Sequence, residues 1–598
     1  MQRNKATPNW GLCSACDQRF STQSGLGQHK RHRHPVLRNE KRLKSAPKVK
    51  GKPGRSDRIW SQEEVALLRE LEKTNRRQLA REILGAPTSS SCPLSKEELE
   101  TCFREKLSAP NKNSNINKYA SYTGKVDDWT LMKPIEVEEV EAAIKGIDEN
   151  SATGPDGLKL QDLRTIHEQE ETHLPRLFSL WLKSSTIPDS LKKSWTVLIP
   201  KCEDKDRLKS IDNWQPVTID PMLLRLFTKI MAKHQSETVE INPRQKGFLA
   251  ATPGCNENIV ILENIIKGAK HNHKDLTVVF VDLAKAFDSV GLKLLIKSLQ
   301  RVKLPEAFVH LIEELYTGNT TVVEGNGNLI TPINIQRGVK QGDPLSPILF
   351  NIALDPLVCS LERANSGVSM PLGGKRVNCS TLTFTDDIVL SNSYTCMARN
   401  LKLLQAHCDH TGLSINPAKT KGFHFTFKRK TFLHNHFTNW KLRDESIAYI
   451  PPCDTEKYLG ACINPWAGVA EGEWEEKHKS WVKGMQAAPL RPRQRLEILK
   501  IHVIPRPYFH LILTEASQAT LIKLDQIIHN TTKEFLHLPT HTADGVLYAS
   551  NRNSGLGVPK LEVQIPSTIV RKCEALEMSS DVVIRASFQY KGESVAGL

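Results

Sequence analysis

A run of eight residues near the middle of the chain, 276–283, constrains the fold more than any other segment. Its sequence, LTVVFVDL, is almost continuously apolar and rich in valine. Such a run predicts a buried β-strand. The run reaches Asp282, and burying a carboxylate at the end of a strand is costly unless a cation meets it. Asp282 is therefore a candidate cation ligand.

A second acidic feature lies in residues 381–390, TLTFTDDIVL. Two apolar, β-prone arms flank Asp386 and Asp387, which predicts a hairpin with adjacent acids at its tip. Taken alone, the pair is more simply explained as the cap of a surface turn, where Asp is common. Adjacent like charges repel each other, however, and divalent cations would hold them. Together with Asp282, the pair fits a two-metal nucleotidyl transfer site, in which Mg²⁺ ions lie about 3.5–4 Å apart.

Near its amino end the chain has the spacing of a zinc finger. Cys13 and Cys16 form a C-x-x-C pair, and His29 and His34 follow at separations that suit a tetrahedral Zn²⁺ site. His32 competes for the last position, but it lies too close to His29. So small a unit needs metal to hold itself together. The sequence therefore predicts one Zn²⁺ ion here.

The same arm is strongly basic. Residues 1–58 hold 15 Lys and Arg against 3 Asp and Glu, out of a net charge of +16 for the whole chain. Such an arm is either a solubilising tail or an electrostatic contact to nucleic acid. If the finger's helix docks in a DNA major groove, its register assigns base-facing and phosphate-facing positions. These candidate DNA-binding residues are Thr22, Gln28, Lys30, Arg31 and Arg33. Gly25, the remaining base-facing position, offers no side chain, so we expect poor discrimination.

Residue composition and local patterns divide residues 36–125 into two linkers with a helical unit between them. Residues 36–58 are a basic linker rich in Pro and Gly. Residues 59–85 open with Trp60-Ser-x-Glu-Glu, which resembles a Myb-type DNA-binding unit, and an ordinary amphipathic helix explains the pattern equally well. Residues 86–125 are rich in Ser, Pro and Asn and are predicted to be a linker. Apolar residues at helical spacing predict helices within residues 490–540.

Several protein classes are excluded by what the sequence lacks. No stretch approaches 18 consecutive apolar residues, so we expect no transmembrane helix and no membrane partner. The start has no apolar run after its basic residues, so we expect no secretory signal and an intracellular protein. Thirteen cysteines in such a chain do not indicate a disulfide framework. Apart from the metal-spaced pair, they are interpreted as core residues or chance thiols.

A series of short motifs, in a fixed order, carries a family resemblance. The series comprises Ala152-Thr-Gly154-Pro-Asp-Gly157, Thr196-Val-Leu-Ile-Pro-Lys201, Asn213-Trp-Gln-Pro-Val-Thr218, Gln245-Lys-Gly-Phe248, Val281-Asp-Leu-Ala-Lys-Ala-Phe-Asp288, Arg337-Gly-Val-Lys-Gln-Gly-Asp-Pro-Leu-Ser-Pro347, Phe384-Thr-Asp-Asp387, Gly412-Leu-Ser-Ile-Asn416 with Lys419, and Tyr458-Leu-Gly460. It resembles the reverse transcriptase of non-long-terminal-repeat retrotransposons, in the clade that inserts site-specifically into ribosomal RNA genes. The resemblance runs from about residue 126 to about residue 560.

The resemblance implies roles for individual residues. Asp282, Asp386 and Asp387 would be the Mg²⁺ ligands, and Lys419 would protonate the leaving pyrophosphate. Phe287 would block a ribose 2′-hydroxyl and so select deoxynucleotides. The implied nucleotide-binding set is Phe287, Gln341, Gly342, Gln215 and Arg225. Tyr458-Leu-Gly460 would lie in a hairpin that grips the primer.

The implied fold class is α+β, a right-hand polymerase with fingers, palm and thumb, preceded by a zinc finger and a basic linker. The predicted boundaries are 1–35 for the finger, 36–58 for the basic linker, 59–85 for the possible Myb-like unit, 86–125 for a linker, 126–205 for an amino-terminal extension of the reverse transcriptase, 206–475 for fingers and palm, 476–560 for the thumb and 561–598 for a truncated carboxy-terminal tail. The implied function is RNA-directed DNA polymerisation by target-primed reverse transcription. The expected cofactors are two Mg²⁺ and one Zn²⁺. The expected partners are the element's RNA template, target DNA with a primer 3′ end, and deoxynucleoside triphosphates, and the expected location is the nucleus.

Three departures from the family pattern bear on activity. Position 215 is Gln where the family usually has Arg, and losing such an interaction with phosphate would weaken nucleotide binding by roughly 1.5–3 kcal/mol. Thr385 precedes the Asp pair where Ala is usual. The expected zinc knuckle and restriction-like endonuclease do not follow the thumb, so we expect a chain that cannot nick its own target. The alternatives are a catalytically inactive nucleic-acid-binding protein that keeps the polymerase fold, and a zinc-finger regulator.

Overall fold

The computed structural model describes residues 92–592, apart from 109–115, 117–120, 203, 205, 250–253, 326–327, 429–430, 436–439 and 471, together with Leu71, Leu79, Ala80 and Ile83. All of these belong to one compact unit, Val65–Leu598. The predictions for 1–35 and 36–58 lie outside the described residues, as does most of 59–85. The four described residues of that last segment are helical and buried.

Helices and strands alternate irregularly along this unit, which makes it a mixed α and β fold. The helices are α1 (Lys96–Leu107), α2 (Asp128–Met132), α3 (Val137–Lys145), α4 (Leu160–Gln169), α5 (His173–Ser184), α6 (Met222–Thr238), α7 (Cys255–His271), α8 (Ala286–Ser289), α9 (Leu292–Arg301), α10 (Glu306–Tyr316), α11 (Ser346–Arg363), α12 (Tyr394–Thr411), α13 (Trp474–Ala487), α14 (Pro492–Ile498), α15 (Tyr508–Leu513), α16 (Gln518–Phe535), α17 (Asp544–Tyr548), α18 (Leu561–Glu577) and α19 (Val582–Lys591). The strands are β1 (Lys193–Pro200), β2 (Trp214–Ile219), β3 (Leu276–Val281), β4 (Thr320–Gly325), β5 (Asn328–Leu329), β6 (Ile333–Asn334), β7 (Val368–Leu372), β8 (Lys375–Cys379), β9 (Thr381–Phe384), β10 (Asp387–Asn392), β11 (Lys421–Lys428), β12 (Thr431–His434), β13 (Lys441–Leu442), β14 (Glu445–Ser446), β15 (Ala448–Tyr449), β16 (Glu456–Tyr458), β17 (Ala461–Asn464) and β18 (Gly468–Val469).

The largest sheet of the described residues orders its strands β12, β11, β3, β10 and β9, with β15 paired to β11. β3 lies at its centre and runs antiparallel to both neighbours. All six residues of β3 are buried, which confirms the predicted buried strand, although it is shorter than the apolar run. β9 and β10 form the predicted hairpin, in which Asp387 pairs with Phe384.

Alternate residues of β3 face two different cores, because successive side chains of a strand point to opposite faces. Val279 and Val281 belong to a core that includes residues of α6 and α9–α12. Val278 and Phe280 belong to a second core, which includes residues of α7 and α19. Both faces of the sheet are therefore covered, and this explains why the β3 sequence does not alternate between apolar and polar residues.

A second sheet orders its strands β2, β1, β4 and β5, with β6 paired to β4. Helix α1 packs on it, since its Leu99 and Phe103 share a core with Trp214 of β2. The linker prediction for 86–125 is therefore wrong over α1: its polar composition reflects an amphipathic helix with one buried face rather than an unstructured connection.

The carboxy-terminal segment differs most from its prediction. Residues predicted to form a truncated tail, 561–598, contain α18 and α19. Helix α19 packs against α7 and β7, and its Ile584 and Ala586 are fully buried in the second core. The tail prediction is wrong because these apolar residues complete the covering of the main sheet. The helices predicted within 490–540 are confirmed by α14 and α16, and α15 lies between them.

The hairpin prediction for Tyr458-Leu-Gly460 is confirmed by β16 and β17, which pair on either side of it. Within the described residues, no helix combines the length and the apolar character that crossing a membrane requires.

Candidate active site

Asp282 follows directly after β3, and its backbone is fixed by two hydrogen bonds. Its N–H donates to Thr420 Oγ1 at 3.3 Å, and its carbonyl accepts the Asn416 N–H at 2.8 Å. Burial raises the pKa of the Asp282 carboxyl, while the charge of Lys419 opposes that rise. The strand end thus presents a half-buried carboxylate at a defined position.

The hairpin brings the other two predicted ligands to the same place. Asp386 lies in the turn between β9 and β10, and Asp387 is the first residue of β10. Ile388 stands opposite Val281 in the pairing of β10 with β3. Because the two strands are antiparallel, the residue before Ile388 and the residue after Val281 are neighbours, and these are Asp387 and Asp282. The structure therefore brings the three predicted carboxylates together.

Electrostatics in this cluster are unfavourable. Burial raises the pKa of Asp386, and the charge of Asp282 adds to the rise. Burial and the charges of Asp386 and Asp282 raise the pKa of Asp387 to about 6. Among the described residues, the cations that act on the cluster are Lys419 and Lys201, and both act on Asp282.

Three neighbouring carboxylates that repel each other, with Asp282 and Asp386 partly buried and Asp387 exposed, offer a donor set for a hard divalent cation. As they stand, no three Asp, Glu, His or Cys side chains in the described part of the chain are close enough to ligate one ion. The three carboxylates line the same cleft without forming a ready-made ligand set. Their shared position and raised pKa values fit such an ion.

These carboxylates line a cleft of about 1010 Å³. The cleft brings together most of the predicted site, because its lining also includes Lys419, Phe287, Gln341, Gly342 and Gln215. A cleft of this size can hold a ligand as large as a nucleotide.

Gly342 allows the backbone to approach the floor of the cleft. Its φ is +119°, and a Cβ atom there would lie 2.4 Å from the Thr218 carbonyl oxygen. The N–H of Thr218 donates to the Gln341 carbonyl at 2.6 Å, and the Gln341 Nε2 donates to Asp288 Oδ1 at 3.4 Å. Any side chain at 342 would therefore push β2 away from this loop.

Phe287 is held rigidly. Its ring stacks on Phe350, with 4.9 Å between centroids and 9° between planes. Phe350 is fully buried in α11, and the Val339 N–H donates to the Phe287 carbonyl at 2.8 Å. A ring fixed in this way lines the cleft with little freedom to move.

Besides the predicted Lys419, the lining of the cleft includes two lysines, Lys201 and Lys106, for which the sequence predicts no role. Burial lowers the pKa of Lys201, and the nearby charges of Lys419 and Lys106 lower it further. Lys106 forms an ion pair with Asp288 at 2.6 Å. Lys201 is the last residue of the second family motif and could have been found there, whereas Lys106 reaches the cleft only because α1 packs on the second sheet.

Of two further residues predicted to bind the nucleotide, Gln215 lies in the cleft and Arg225 does not. Gln215 lines the cleft, where it is opposite Ile199 in the β1–β2 pairing. Arg225 is not among the described residues that line the cleft. Its Nη1 donates to the Ala152 carbonyl at 2.6 Å, and burial lowers its pKa. Arg225 therefore supports the loop of the first motif instead.

The predicted metal and DNA contacts of the amino-terminal arm lie outside the described residues. They are Cys13, Cys16, His29 and His34 for Zn²⁺, and Thr22, Gln28, Lys30, Arg31 and Arg33 for DNA.

Comparisons with known proteins agree with the motif series. The sequence model of the reverse transcriptase (RNA-dependent DNA polymerase) family matches residues 199–463. The chain is 33% identical over 458 residues to a Pol polyprotein of the type-1 retrotransposable element R2 from Popillia japonica, covering 76% of this chain and 62% of the relative. The R2 polyprotein from Nasonia vitripennis is 31% identical, covering 76% of this chain and 42% of the relative. The polyprotein of the type-2 element R2DM from Drosophila melanogaster is 27% identical, covering 81% and 44%.

The chain thus spans between about two fifths and three fifths of the length of these relatives. A telomerase structure from Candida tropicalis, in complex with a fragment of telomeric RNA, aligns with 11% identity and a TM-score of 0.32, covering 70% of this chain and 68% of that one. The assignment rests on the sequence relatives and confirms the predicted resemblance. Residues 199–463 match the reverse transcriptase family, and the chain is similar over about three quarters of its length to the Pol polyproteins of R2 retrotransposable elements.

Proposed function

We propose that this chain is an RNA-directed DNA polymerase that extends a primer 3′ end along an RNA template. The observation that carries the proposal is the convergence of Asp282, Asp386 and Asp387 on one cleft inside the reverse transcriptase domain. In this proposal the main sheet is the palm, the second sheet belongs to the fingers, and α13–α17 form the thumb.

The three carboxylates would hold two Mg²⁺ ions, which stabilise the attacking and leaving oxygens of an in-line displacement. The chain's own residues do the rest. Lys201 and Lys419 supply positive charge beside the site for the triphosphate, in place of the arginine absent at 215. Lys419, which lines the cleft, would also give a proton to the leaving pyrophosphate. Gln341 and Gly342 shape the nucleotide's floor, and Phe287 limits the space at its sugar.

A primer-extension assay tests this proposal directly. The purified chain, Mg²⁺, deoxynucleotides and a DNA primer on an RNA template are expected to yield extended primer. The uncharged Gln215 favours a second candidate, a nucleic-acid-binding protein that keeps the polymerase fold without activity. Absence of extension, with hybrid binding intact, would support that second candidate.

The zinc finger and basic arm are proposed to place the polymerase on target DNA in the nucleus, so that a nicked end primes synthesis. Deleting residues 1–58 is expected to weaken binding to duplex DNA. It should also flatten the salt dependence of that binding, by about 0.9 in log–log slope for each phosphate that the arm neutralises. Extension of a preformed RNA–DNA hybrid should survive, since the cleft lies elsewhere in the sequence.

Filter binding across a salt series, alongside primer extension, measures both effects. The variant Cys13→Ser is a matched control, because it keeps the basic charge while removing a predicted Zn²⁺ ligand. Loss of hybrid extension together with the arm would contradict the proposed division into domains.

A further inference from the structure

The segment 244–247 connects the catalytic hairpin to the carboxy-terminal helix α19. Around Gln245, which forms a β-bridge with Thr383, it runs beside β9: the Thr383 N–H donates to the Arg244 carbonyl at 3.0 Å, and the Lys246 N–H donates to the Thr383 carbonyl at 2.9 Å. In an extended segment, alternate side chains point to opposite sides. Gln245 therefore faces one way, and Arg244 and Lys246 face the other.

Gln245 forms two hydrogen bonds to the turn that contains Asp386. The Thr385 N–H donates to Gln245 Oε1 at 2.7 Å, and Gln245 Nε2 donates to the Thr385 carbonyl at 3.2 Å. Thr385 needs such support because its φ is +57°, which is costly for a β-branched residue. Gly247 packs tightly against Thr385, since a Cβ atom at position 247 would be 2.3 Å from Thr385 Oγ1. The conformation of the turn is thus imposed from outside the hairpin.

Arg244 and Lys246 are both held on the opposite side by Asp581. Arg244 Nη2 lies 2.5 Å from Asp581 Oδ1, and Lys246 Nζ lies 2.8 Å from Asp581 Oδ2. The side chains of all three are at most 8% exposed. Asp581 also caps α19, because Oδ1 accepts the Val583 N–H at 2.9 Å. Lys246 has a second ion pair, with Glu257 at 3.0 Å, so neutralising Asp581 is costly chiefly because it leaves the buried Arg244 without its ion-pair partner.

We propose that Asp581 is a positioning residue, which sets the geometry of the Asp386–Asp387 turn through Arg244, Lys246 and Gln245. The carboxy-terminal helix is then part of the catalytic apparatus without touching substrate. The proposal rests on the proposed polymerase function only for its effect on rate. Its structural half concerns the turn alone.

Hydrogen exchange measured by mass spectrometry tests the structural half without substrate or metal. Asp581→Asn keeps the shape and removes the charge, and it should speed exchange in the peptide covering residues 380–390 about tenfold. Asp581→Glu should restore most of the protection. Gln245→Met, which removes both hydrogen bonds to Thr385 at similar volume, should reproduce the change locally even where Asp581→Asn destabilises the whole protein.

Glu139→Gln is the matched control, since Glu139 is also a buried acid between two bases. It lies 2.8 Å from His234 Nε2 and 3.1 Å from Lys133 Nζ. This variant should leave exchange of the 380–390 peptide unchanged. Wild-type protection of the hairpin in both Asp581→Asn and Gln245→Met would overturn the proposal.

Primer extension tests the catalytic half. Asp581→Asn should lower kcat by about 10- to 100-fold through misplacement of the acids, with KM for deoxynucleotide nearly unchanged. Combined with Gln245→Met, it should cost little more than either change alone, because both act through one chain of contacts. Fully additive losses in kcat would show that Asp581 and Gln245 act independently, which would contradict the proposed chain of contacts from Asp581 to the turn. If the wild type is inactive but the variants still show faster exchange in the hairpin, the proposed polymerase function is contradicted. The positioning of the Asp386–Asp387 turn by Asp581 is then still supported.

Discussion

Replacing Asp386 by Asn is expected to reduce primer extension by at least about 10³-fold, which corresponds to roughly 4 kcal/mol of transition-state stabilisation. Asn has nearly the same shape as Asp, so the β9–β10 pairing of Asp387 with Phe384 is retained. What disappears is one of three charges that would hold the cations. The loss should fall on kcat and on the Mg²⁺ concentration that the reaction needs.

The same substitution should not destabilise the protein. Burial raises the pKa of Asp386, and its charge in turn raises the pKa of Asp387. Each carboxylate is therefore ionised at a cost at neutral pH, and removing one charge relieves the others. The melting temperature measured without divalent cations should stay the same or rise, as expected when function maintains an unfavourable arrangement.

Asp409→Asn provides the control for this pair of measurements. Asp409 is an exposed acid on α12, paired with Arg443 at 3.4 Å, and its loss should change neither extension nor melting by much. Full activity in Asp386→Asn would exclude the carboxylates from the chemistry. A large fall in melting temperature would instead assign Asp386 a structural role.

The parts of the site that the sequence predicted are those encoded by local patterns. The apolar run of β3 and the two arms around Asp386 determine their own strands, so the acids at their ends could be located without a structure. Residue type and spacing carried that information, because a strand end and a hairpin tip are close to their acids along the chain.

The parts that were missed depend on contacts between distant segments. Asp581 reaches Arg244 only after α19 has packed on α7, and no local pattern records that contact. Helix α1, by contrast, has a local sequence signal, because Ser95 and Glu98 form a capping box at its amino end. The Ser, Pro and Asn content of the segment predicts a linker instead, and a linker gives no reason to connect Lys106 with the cleft.

Replacing Phe287 by Ala is expected to let ribonucleotides in, lowering the preference for deoxynucleotides by on the order of 10- to 100-fold. The ring is stacked on Phe350 and its backbone is bonded to Val339, so it cannot move aside for a 2′-hydroxyl. Cutting the side chain back to Cβ removes the obstruction. The ratio of kcat/KM values for a deoxynucleotide and its ribonucleotide counterpart measures the effect.

Phe248→Ala is the matched control for this change. Phe248 lines the same cleft, but its ring is 60% exposed and lies 6.1 Å from Phe384 rather than against α11. Its removal should alter the sugar preference little, whatever it does to the overall rate. Should Phe287→Ala keep the wild-type preference while extending primers normally, the ring would be a core aromatic only. Sugar selection would then have to come from the floor formed by Gln341 and Gly342.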